Sequence, residues 1–284
     1  MSLAAIVALS SAIASGSVAL LLKYSTRGMR PLLVNYLKVL SGTLALGLAV
    51  VAVSPQDLFS IALPDLALIA FAGFTGPFVA WFLYTKALSK GDVSLIHPIV
   101  NTYPLSAMVA GYFIAGYSVK LLHVLGALLV ITGVKLLVER RSRRTVSLTP
   151  VLMALAVSVI WGINTVLFKL VLNRSSPLHV AFLRALFALV FMTPLAVFLT
   201  KRFSFKARYL GTSVAAGLVS DFIGVFLWLL SLKLGEVSLS ATISASAPIF
   251  SAVLSWKLFK EKMNSRRVIG IVLAVGGIVT VSVT

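Results

Sequence analysis

Hydrophobic residues fall in long blocks along this chain, and short polar connections separate the blocks. Each block holds about 20 residues, which is the length that a helix needs to cross a hydrocarbon layer of roughly 30 Å. The pattern therefore predicts an all-α integral membrane protein with ten transmembrane helices. These helices are predicted at Leu3–Leu22, Leu32–Val53, Pro64–Thr85, Val93–Gly116, Leu121–Val138, Leu148–Phe168, Leu178–Thr200, Leu210–Leu232, Val237–Trp256 and Val268–Val283.

The second half of the chain repeats the first at a nearly constant offset. The offset is 146 residues in the early part of each half and 144 residues in the later part. The matched pairs are Gly16/Gly162, Lys23/Lys169, Pro31/Pro177, Lys38/Arg184, Gly91/Gly235, Pro104/Pro248, Gly126/Gly270 and Gly133/Gly277. We therefore predict two five-helix repeats, residues 1–139 and 148–284, joined by a basic linker at 140–147. Such duplication is typical of secondary transporters, because two related halves can rock about a shared site.

An odd number of helices in each repeat turns the second repeat upside down relative to the first. The Lys and Arg residues support this inversion, because sister connections of the two repeats carry opposite charge bias. Odd-numbered connections hold 18 of the 25 Lys and Arg residues, and even-numbered connections hold four. Since cytoplasmic connections are enriched in Lys and Arg, this count predicts that both termini lie outside the cell membrane.

Composition narrows the classes of function. The chain is 60% hydrophobic and 11% charged, with a mean hydropathy of +1.06, whereas a soluble domain carries roughly 25% charged residues. The net charge of +18 comes from residues in the connections, where they orient helices and contact anionic lipid headgroups, so no nucleic-acid partner is expected. The sequence has no cysteine, no phosphate-binding Gly-Lys-Ser/Thr loop and no His-Glu-x-x-His motif. We therefore expect no enzyme activity, cofactor or metal.

The repeated positions also carry a family resemblance. In the second helix of each half, a basic residue follows a proline by seven positions, and a Gly-acid-Val-Ser sequence opens the fourth helix. Pro104 and Pro248 lie within the fourth helices, and Glu261 precedes the last helix, although its counterpart in the first half is Tyr117. With these features, the whole chain resembles the drug/metabolite transporter superfamily, and specifically its EamA-type members.

This resemblance implies an inverted-repeat bundle around a central cavity. Helices one, three and four of each half would line the cavity, and the fifth helices would be peripheral. It implies a secondary transporter that moves a small polar metabolite such as an amino acid, often outward, by antiport or with protons. Family members are expected to have both termini in the cytoplasm, which conflicts with the charge count.

The expected partners are a small-molecule substrate, protons and the lipid bilayer, and the chain is expected to act as a monomer or homodimer. The alternative is a membrane scaffold or partner-binding protein that transports nothing.

Asp221 is the acidic residue predicted to lie deepest in the membrane, near the centre of the eighth helix. The other six acidic residues lie in connections or at helix ends. A carboxylate at the membrane centre is costly unless it is protonated, paired or exposed to water. Four roles stay open for it: proton coupling, binding of a substrate amine, a structural hydrogen bond, and an internal ion pair with Arg184. Its sister position holds Pro77, so the two repeats differ chemically here.

Lys38 and Arg184 lie about two turns inside their helices. One interpretation is structural, because long basic side chains can extend to the interface or pair across a bundle. The other interpretation is that they attract an anionic substrate into the mouth of a cavity.

Substrate contacts are predicted around the interrupted helices. A proline inside a helix frees the carbonyl group four residues earlier, here those of Val100 and Ser244, and such groups are tolerated where they line a cavity. Nearby aromatic and polar side chains extend the prediction. The predicted substrate-binding residues are Ser11, Ser15, Trp81, Tyr84, Asn101, Tyr103, Trp161, Asn164, Trp228, Ser244 and Ser246.

Overall fold

The computed structural model describes residues 2–91, 93–137, 148–200, 207–250 and 265–282. The predicted linker at 140–147 and Glu261 lie outside this part of the chain. In the first half, the helices are α1 (Leu3–Ser15), α2 (Val18–Ser25), α3 (Pro31–Val53), α4 (Leu63–Gly73), α5 (Trp81–Lys90), α6 (Val93–Val100), α7 (Tyr103–Ala115) and α8 (Leu121–Leu137). In the second half, they are α9 (Leu148–Leu172), α10 (Pro177–Thr200), α11 (Ala207–Gly217), α12 (Val225–Leu234), α13 (Val237–Ser244) and α14 (Ser265–Ser282).

Helix length and polarity identify a multi-pass membrane protein. Six continuous helical segments are long and apolar enough to cross a bilayer, namely Leu3–Ser25, Pro31–Val53, Leu63–Lys90, Leu148–Leu172, Pro177–Phe198 and Ala207–Leu234. Four shorter apolar helices accompany them, at Tyr103–Ala115, Leu121–Leu136, Val237–Phe250 and Val268–Val281. Large apolar side chains such as Leu48 and Phe113 lie exposed on the outer surface, where lipid would cover them. The all-α membrane class is confirmed, and the exact number of ten spans stays a prediction.

The interruptions predicted at the two prolines are present. Residues 101 and 102 separate α6 from α7, and α13 ends at Ser244, four residues before Pro248. Side chains satisfy carbonyl groups at both places. The Asn101 amide donates to the His97 carbonyl at 2.7 Å, and the Ser246 hydroxyl donates to the Ile243 carbonyl at 2.6 Å. A further break, at Gly16 between α1 and α2, has no proline and was not predicted.

Two π-helical segments occupy matching positions in the two repeats. Phe74–Ala80 joins α4 to α5, and Leu218–Gly224 joins α11 to α12. The wider π turn disturbs the regular ladder of backbone hydrogen bonds. In the first segment, the Asn35 amide donates to the Pro77 carbonyl at 2.9 Å, and in the second the Ser11 hydroxyl donates to the Gly224 carbonyl at 2.7 Å. Side chains from neighbouring helices therefore hold both segments.

Reciprocal glycine contacts relate the two repeats. A methyl group added to Gly277 would lie 2.5 Å from the Gly126 carbonyl oxygen, and one added to Gly133 would lie 2.5 Å from the Gly270 carbonyl oxygen. These pairings require α8 and α14 to run antiparallel with their backbones in close contact, which small residues permit in membranes. Since α8 and α14 are sister helices, the contacts define an approximate two-fold axis perpendicular to both.

A pair of sister lysines repeats the same relation at the helix ends. The Lys169 ammonium donates to the carbonyl groups of Leu232 and Gly235 at 2.7 and 2.8 Å. Lys23 donates to the equivalent carbonyl groups of Leu88 and Gly91. A cation at the C-terminal end of a helix satisfies carbonyl groups and complements the helix dipole. Each repeat therefore joins its first helix to the end of its third in the same way.

The close crossing of α8 and α14 predicts a difference between two adjacent glycines. Gly277→Ala should destabilise the protein by about 1–3 kcal/mol, because its methyl group would press on the Gly126 backbone. Gly276→Ala is the matched control, since nothing lies within 4 Å of a methyl group added there. Thermal unfolding in detergent measures both variants. Equal melting temperatures for the two variants would contradict the crossing.

Candidate functional site

A cavity of about 130 Å³ lies between the two halves. Its wall combines α1, α2, α5, α6 and α7 with α9, α10, α12, α13 and both π-helical segments. In the described part of the chain, α8 and α14 contribute no lining residue, as the family resemblance implies for the fifth helices. The lining residues are Ser11, Ser15, Val18, Ala19, Gly76, Pro77, Trp81, Tyr84, His97, Asn101, Tyr103, Trp161, Asn164, Phe168, Arg184, Ser220, Gly224, Val225, Trp228, Ser244 and Ala247.

The lining is built from sister positions of the two repeats. At the offsets of 146 and 144 residues, twelve of the lining residues form six pairs in which both members face the cavity. The pairs are Ser15/Trp161, Val18/Asn164, Gly76/Ser220, Trp81/Val225, Tyr84/Trp228 and Tyr103/Ala247. The cavity therefore lies at the approximate two-fold axis. Every pair contains two different residues, so a symmetric backbone carries an asymmetric surface.

Aromatic rings form a continuous cluster on one side of the cavity. The ring centroid of Trp161 lies 5.3 Å from that of Trp81, 5.7 Å from that of Tyr84 and 6.2 Å from that of Tyr103. The contacts are tilted or edge-on, which are favourable geometries for aromatic pairs. α5, α7 and α9 supply these rings, so residues from both repeats build the cluster. This wall suits the apolar or planar part of a ligand.

The polar side of the cavity consists mainly of small hydroxyl groups. Ser15 and Ser244 line the cavity as partly buried residues, with the Ser244 hydroxyl oxygen itself buried, and Ser220 lies beside Asp221 in the second π-helical segment. The Tyr103 side chain lies near those of Ser244 and Trp228, in the space between α7, α12 and α13. These groups can donate and accept hydrogen bonds without filling the volume.

His97 brings an imidazole to the cavity that its neighbours orient. The Tyr84 hydroxyl lies 2.6 Å from Nδ1 of His97, and the Asn101 amide nitrogen lies 3.5 Å from the same atom. The amide nitrogen can only donate, so Nδ1 is assigned as the acceptor and Nε2 as the protonated nitrogen. Nε2 is buried and has no hydrogen-bond partner. His97 was not among the substrate-binding residues predicted from the sequence.

Three charged side chains meet beside the cavity. The Asp221 carboxylate contacts the Lys38 ammonium through Oδ2 and the Arg184 guanidinium through Oδ1, the latter at 3.0 Å. All three side chains are at least 97% buried. The Lys38 ammonium also lies 3.9 Å from the centroid of the Trp81 ring. We call Lys38, Asp221 and Arg184 the ion triad.

Close backbone contacts bring the ion triad together. A side chain at Gly217 would collide with the Lys38 carbonyl group, and one at Gly42 would come within 2.5 Å of the Asp221 side chain. At Gly73, in the other half, an added methyl group would likewise lie 2.6 Å from the Arg184 carbonyl oxygen. Small residues thus let α3 pack directly on α11 and the second π-helical segment, which places Lys38 against Asp221.

Ten of the eleven residues predicted to bind substrate line the cavity. The exception is Ser246, whose side chain is buried and donates to the Ile243 carbonyl. Asp221 and Lys38 do not line the cavity, whereas Arg184 does. The interpretation that Lys38 extends to the membrane interface is wrong, because its side chain is fully buried in the ion triad. Among the described residues, no group of three His, Cys, Asp or Glu side chains is placed to hold a metal.

The fold and the cavity define a helical multi-pass membrane protein built from two related halves. The model of the EamA-like transporter family matches the chain twice, at residues 2–138 and 148–283. The chain therefore belongs to the EamA-like transporter family, and the resemblance read from the sequence is confirmed. Members of this family are transporters, which fits the expectation of no enzyme activity.

A likeness to a solved structure supports the fold. One structure, described only as the crystal structure of a protein, matches with a TM-score of 0.80 and 22% identity, over 99% of this chain and 96% of that one. At this identity, the likeness concerns the fold alone. No curated protein matches the chain.

The ion triad predicts a large stability effect at Asp221. Asp221→Asn should cost about 3–5 kcal/mol, because two buried cations would lose their counter-charge. Thermal unfolding in detergent measures the loss. Adding Lys38→Met to this variant removes one of the two cations and should recover part of the stability. A melting temperature for Asp221→Asn equal to that of the wild type would show that the carboxylate does not neutralise this cluster.

Proposed function

We propose that this protein is a secondary active transporter of a small polar metabolite, working by alternating access between two inverted five-helix repeats. One observation carries the proposal: sister residues of both repeats line a single cavity at the approximate two-fold axis. A two-fold axis perpendicular to the helices exchanges the two faces of the membrane. A conformation that opens the cavity to one face therefore has a counterpart that opens it to the other.

The moving parts proposed are the interrupted helices. The two π-helical segments and the breaks near Pro104 and Pro248 all border the cavity, and interrupted helices absorb changes in backbone angle more readily than continuous ones. The Lys23 and Lys169 caps, related by the same axis, would lie toward opposite faces of the membrane. Each cap joins a first helix to a third helix, so each would tie together the cavity walls near its own face.

Amino acids are the first substrate class to test, with the protein acting as an exporter or exchanger. The cavity offers an aromatic wall for a side chain and polar groups for the charged end. For Asp221, the contacts favour the internal ion pair over binding of a substrate amine, because both carboxylate oxygens already have cationic partners. Proton coupling through Asp221 stays a prediction, as does the placement of both termini outside.

The alternative of a non-transporting scaffold makes a different prediction about water. A scaffold needs no hydrated centre, whereas a transporter must admit its substrate from solution. The chain has no cysteine. It is therefore already a cysteine-free background, in which single introduced cysteines can probe the access of water-soluble reagents.

Cysteines at Ser244 and Ser246 should differ in reactivity. Ser244→Cys lines the cavity and should react with a membrane-impermeant thiosulfonate, while Ser246→Cys should stay inert, because that side chain is buried away from the cavity. Mass spectrometry of the labelled protein in liposomes gives the ratio. Unreactive cysteine at both positions, from both sides of the membrane, would favour the scaffold.

Counterflow in proteoliposomes tests transport itself. Vesicles preloaded with pooled amino acids, and then with other metabolite pools, should show saturable uptake of the matching labelled compound, whereas protein-free vesicles should not. Repeating the assay with a pH gradient tests proton coupling. Loss of the pH response in Asp221→Asn, with Asp221→Asn/Lys38→Met as the better-folded companion, would assign coupling to the acid. If the flux keeps the same pH response in both variants, Asp221 does not take part in proton coupling, and the proposed transport function is unaffected.

A further inference from the structure

Two cations share one carboxylate beside the cavity, and this imbalance of charge has a consequence for the substrate. We infer that the cavity recognises a small organic monoanion, a carboxylate, through Arg184 and His97. The inference rests on the proposed transport function and narrows its substrate class. It also favours a carboxylic acid without an amine over a zwitterionic amino acid.

The charge balance of the buried region is positive. Lys38 and Arg184 contribute two positive charges and Asp221 contributes one negative charge, and all three side chains are buried. The other described acids, Asp57, Asp65 and Glu236, lie at or near helix ends. With all three groups ionised, one positive charge is left without a counter-charge among the described residues, in a region of low polarity where a buried charge is costly until it finds a partner.

Arg184 carries this charge to the cavity. Its Nη2 atom donates to Asp221, which fixes the plane of the guanidinium group. Its Nε atom is buried and has no hydrogen-bond partner, and the side chain lines the cavity. A carboxylate oxygen is the acceptor that a guanidinium N–H binds most strongly. An anion entering the cavity would therefore satisfy a donor and balance a charge together.

His97 supplies a second donor in the same cavity. With Nδ1 accepting from Tyr84, the protonated Nε2 is the free position of the ring, and it too is buried without a partner. The two unpartnered N–H groups of Arg184 and His97 belong to opposite repeats. An anion held by both would therefore bridge the two halves.

The rest of the lining favours an organic monoanion over an inorganic one. One excess charge matches one carboxylate, and the aromatic cluster around Trp161 offers flat apolar surface but few groups to replace the hydration of a phosphate. Within the described part of the chain, an amine has no free acid to pair with at the cavity, because both oxygens of Asp221 already contact cations. The Lys38 ammonium already lies over the Trp81 ring, so a second cation there would be repelled.

Tryptophan fluorescence reports on the charge of this cavity without any transport. Three of the four tryptophans, Trp81, Trp161 and Trp228, line it, and Trp256→Phe removes the fourth. In a neutral detergent, collisional quenching is measured with iodide, with neutral acrylamide and with caesium. The iodide-to-acrylamide ratio of quenching constants should exceed the caesium-to-acrylamide ratio, because the excess positive charge concentrates anions and repels cations.

Charge variants then separate the cavity from the rest of the protein. Arg184→Gln should lower the iodide-to-acrylamide ratio about threefold or more. Lys38→Met should lower it as well, because it leaves a neutral Asp221–Arg184 pair, and it replaces the first variant if that one does not fold. Arg184→Lys should keep most of the ratio. Lys90→Gln removes the same charge from an exposed surface position and should leave the ratio unchanged.

The chemical class is tested on the same protein with three matched probes. The probes are 3-phenylpropionate, 3-phenylpropanamide and 3-phenylpropylamine, and the readout is protection of the tryptophans from acrylamide. The carboxylate should protect best, and Arg184→Gln should abolish its advantage.

Several results would overturn the inference. Equal iodide-to-acrylamide ratios in the wild type, Arg184→Gln and Lys38→Met would show that the cavity has no excess positive charge. If no solute quenches the tryptophans, the cavity is not accessible from solution. The proposed class of ligand would be wrong if the carboxylate gave no protection. It would also be wrong if the amide or the amine protected as well as the carboxylate. If these fluorescence tests fail while counterflow succeeds, the proposed transport function stands and only the preference for an anion is rejected, because the two assays share no readout.

Discussion

The ion triad is the interaction on which the rest of the arrangement depends. Asp221 joins a cation from the second helix of each repeat, so a single carboxylate ties α3 and α10 to the second π-helical segment. Three buried charges tolerate little displacement, because each loses its partner when the helices separate. The glycines at 42 and 217 provide the necessary approach, and the position of Arg184 against the cavity follows from it. Packing, charge and the candidate site are therefore fixed by the same contact.

Symmetry explains the backbone, and its violation explains the chemistry. The lysine caps, the π-helical segments and the glycine crossings repeat in both halves, since each solves a backbone problem that both halves share. The cavity positions repeat as well, yet their side chains differ: Trp161 is the counterpart of Ser15, and Asn164 is the counterpart of Val18. A symmetric lining would duplicate every contact across the axis, whereas this one separates an aromatic wall from a polar side.

The sequence predicted those features of the structure that produce a periodic or repeated pattern of residues along the chain. The apolar blocks, the offset and the two prolines predicted the helices, the related halves and the interrupted fourth helices. The π-helical segments were missed, because one inserted residue in an apolar helix changes no hydrophobic pattern. For Lys38, the sequence left extension to the interface and pairing across the bundle both open, since sequence distance from a helix end gives depth but not the partner across the bundle. Ser246 and Ser244 share a segment, and only the local turn after α13 decides which one faces the cavity.

The excess positive charge also bears on why such a carrier would exchange substrates. Under alternating access, the protein passes through a state in which the cavity is closed to both faces. When empty, that state holds a positive charge without water or counter-ion in the middle of the membrane, which is unfavourable. The proposed monoanion would supply the missing charge and bridge Arg184 and His97 across the two repeats. The loaded protein would then cross more easily than the empty one, and this difference favours exchange of one anion for another over return of the empty carrier.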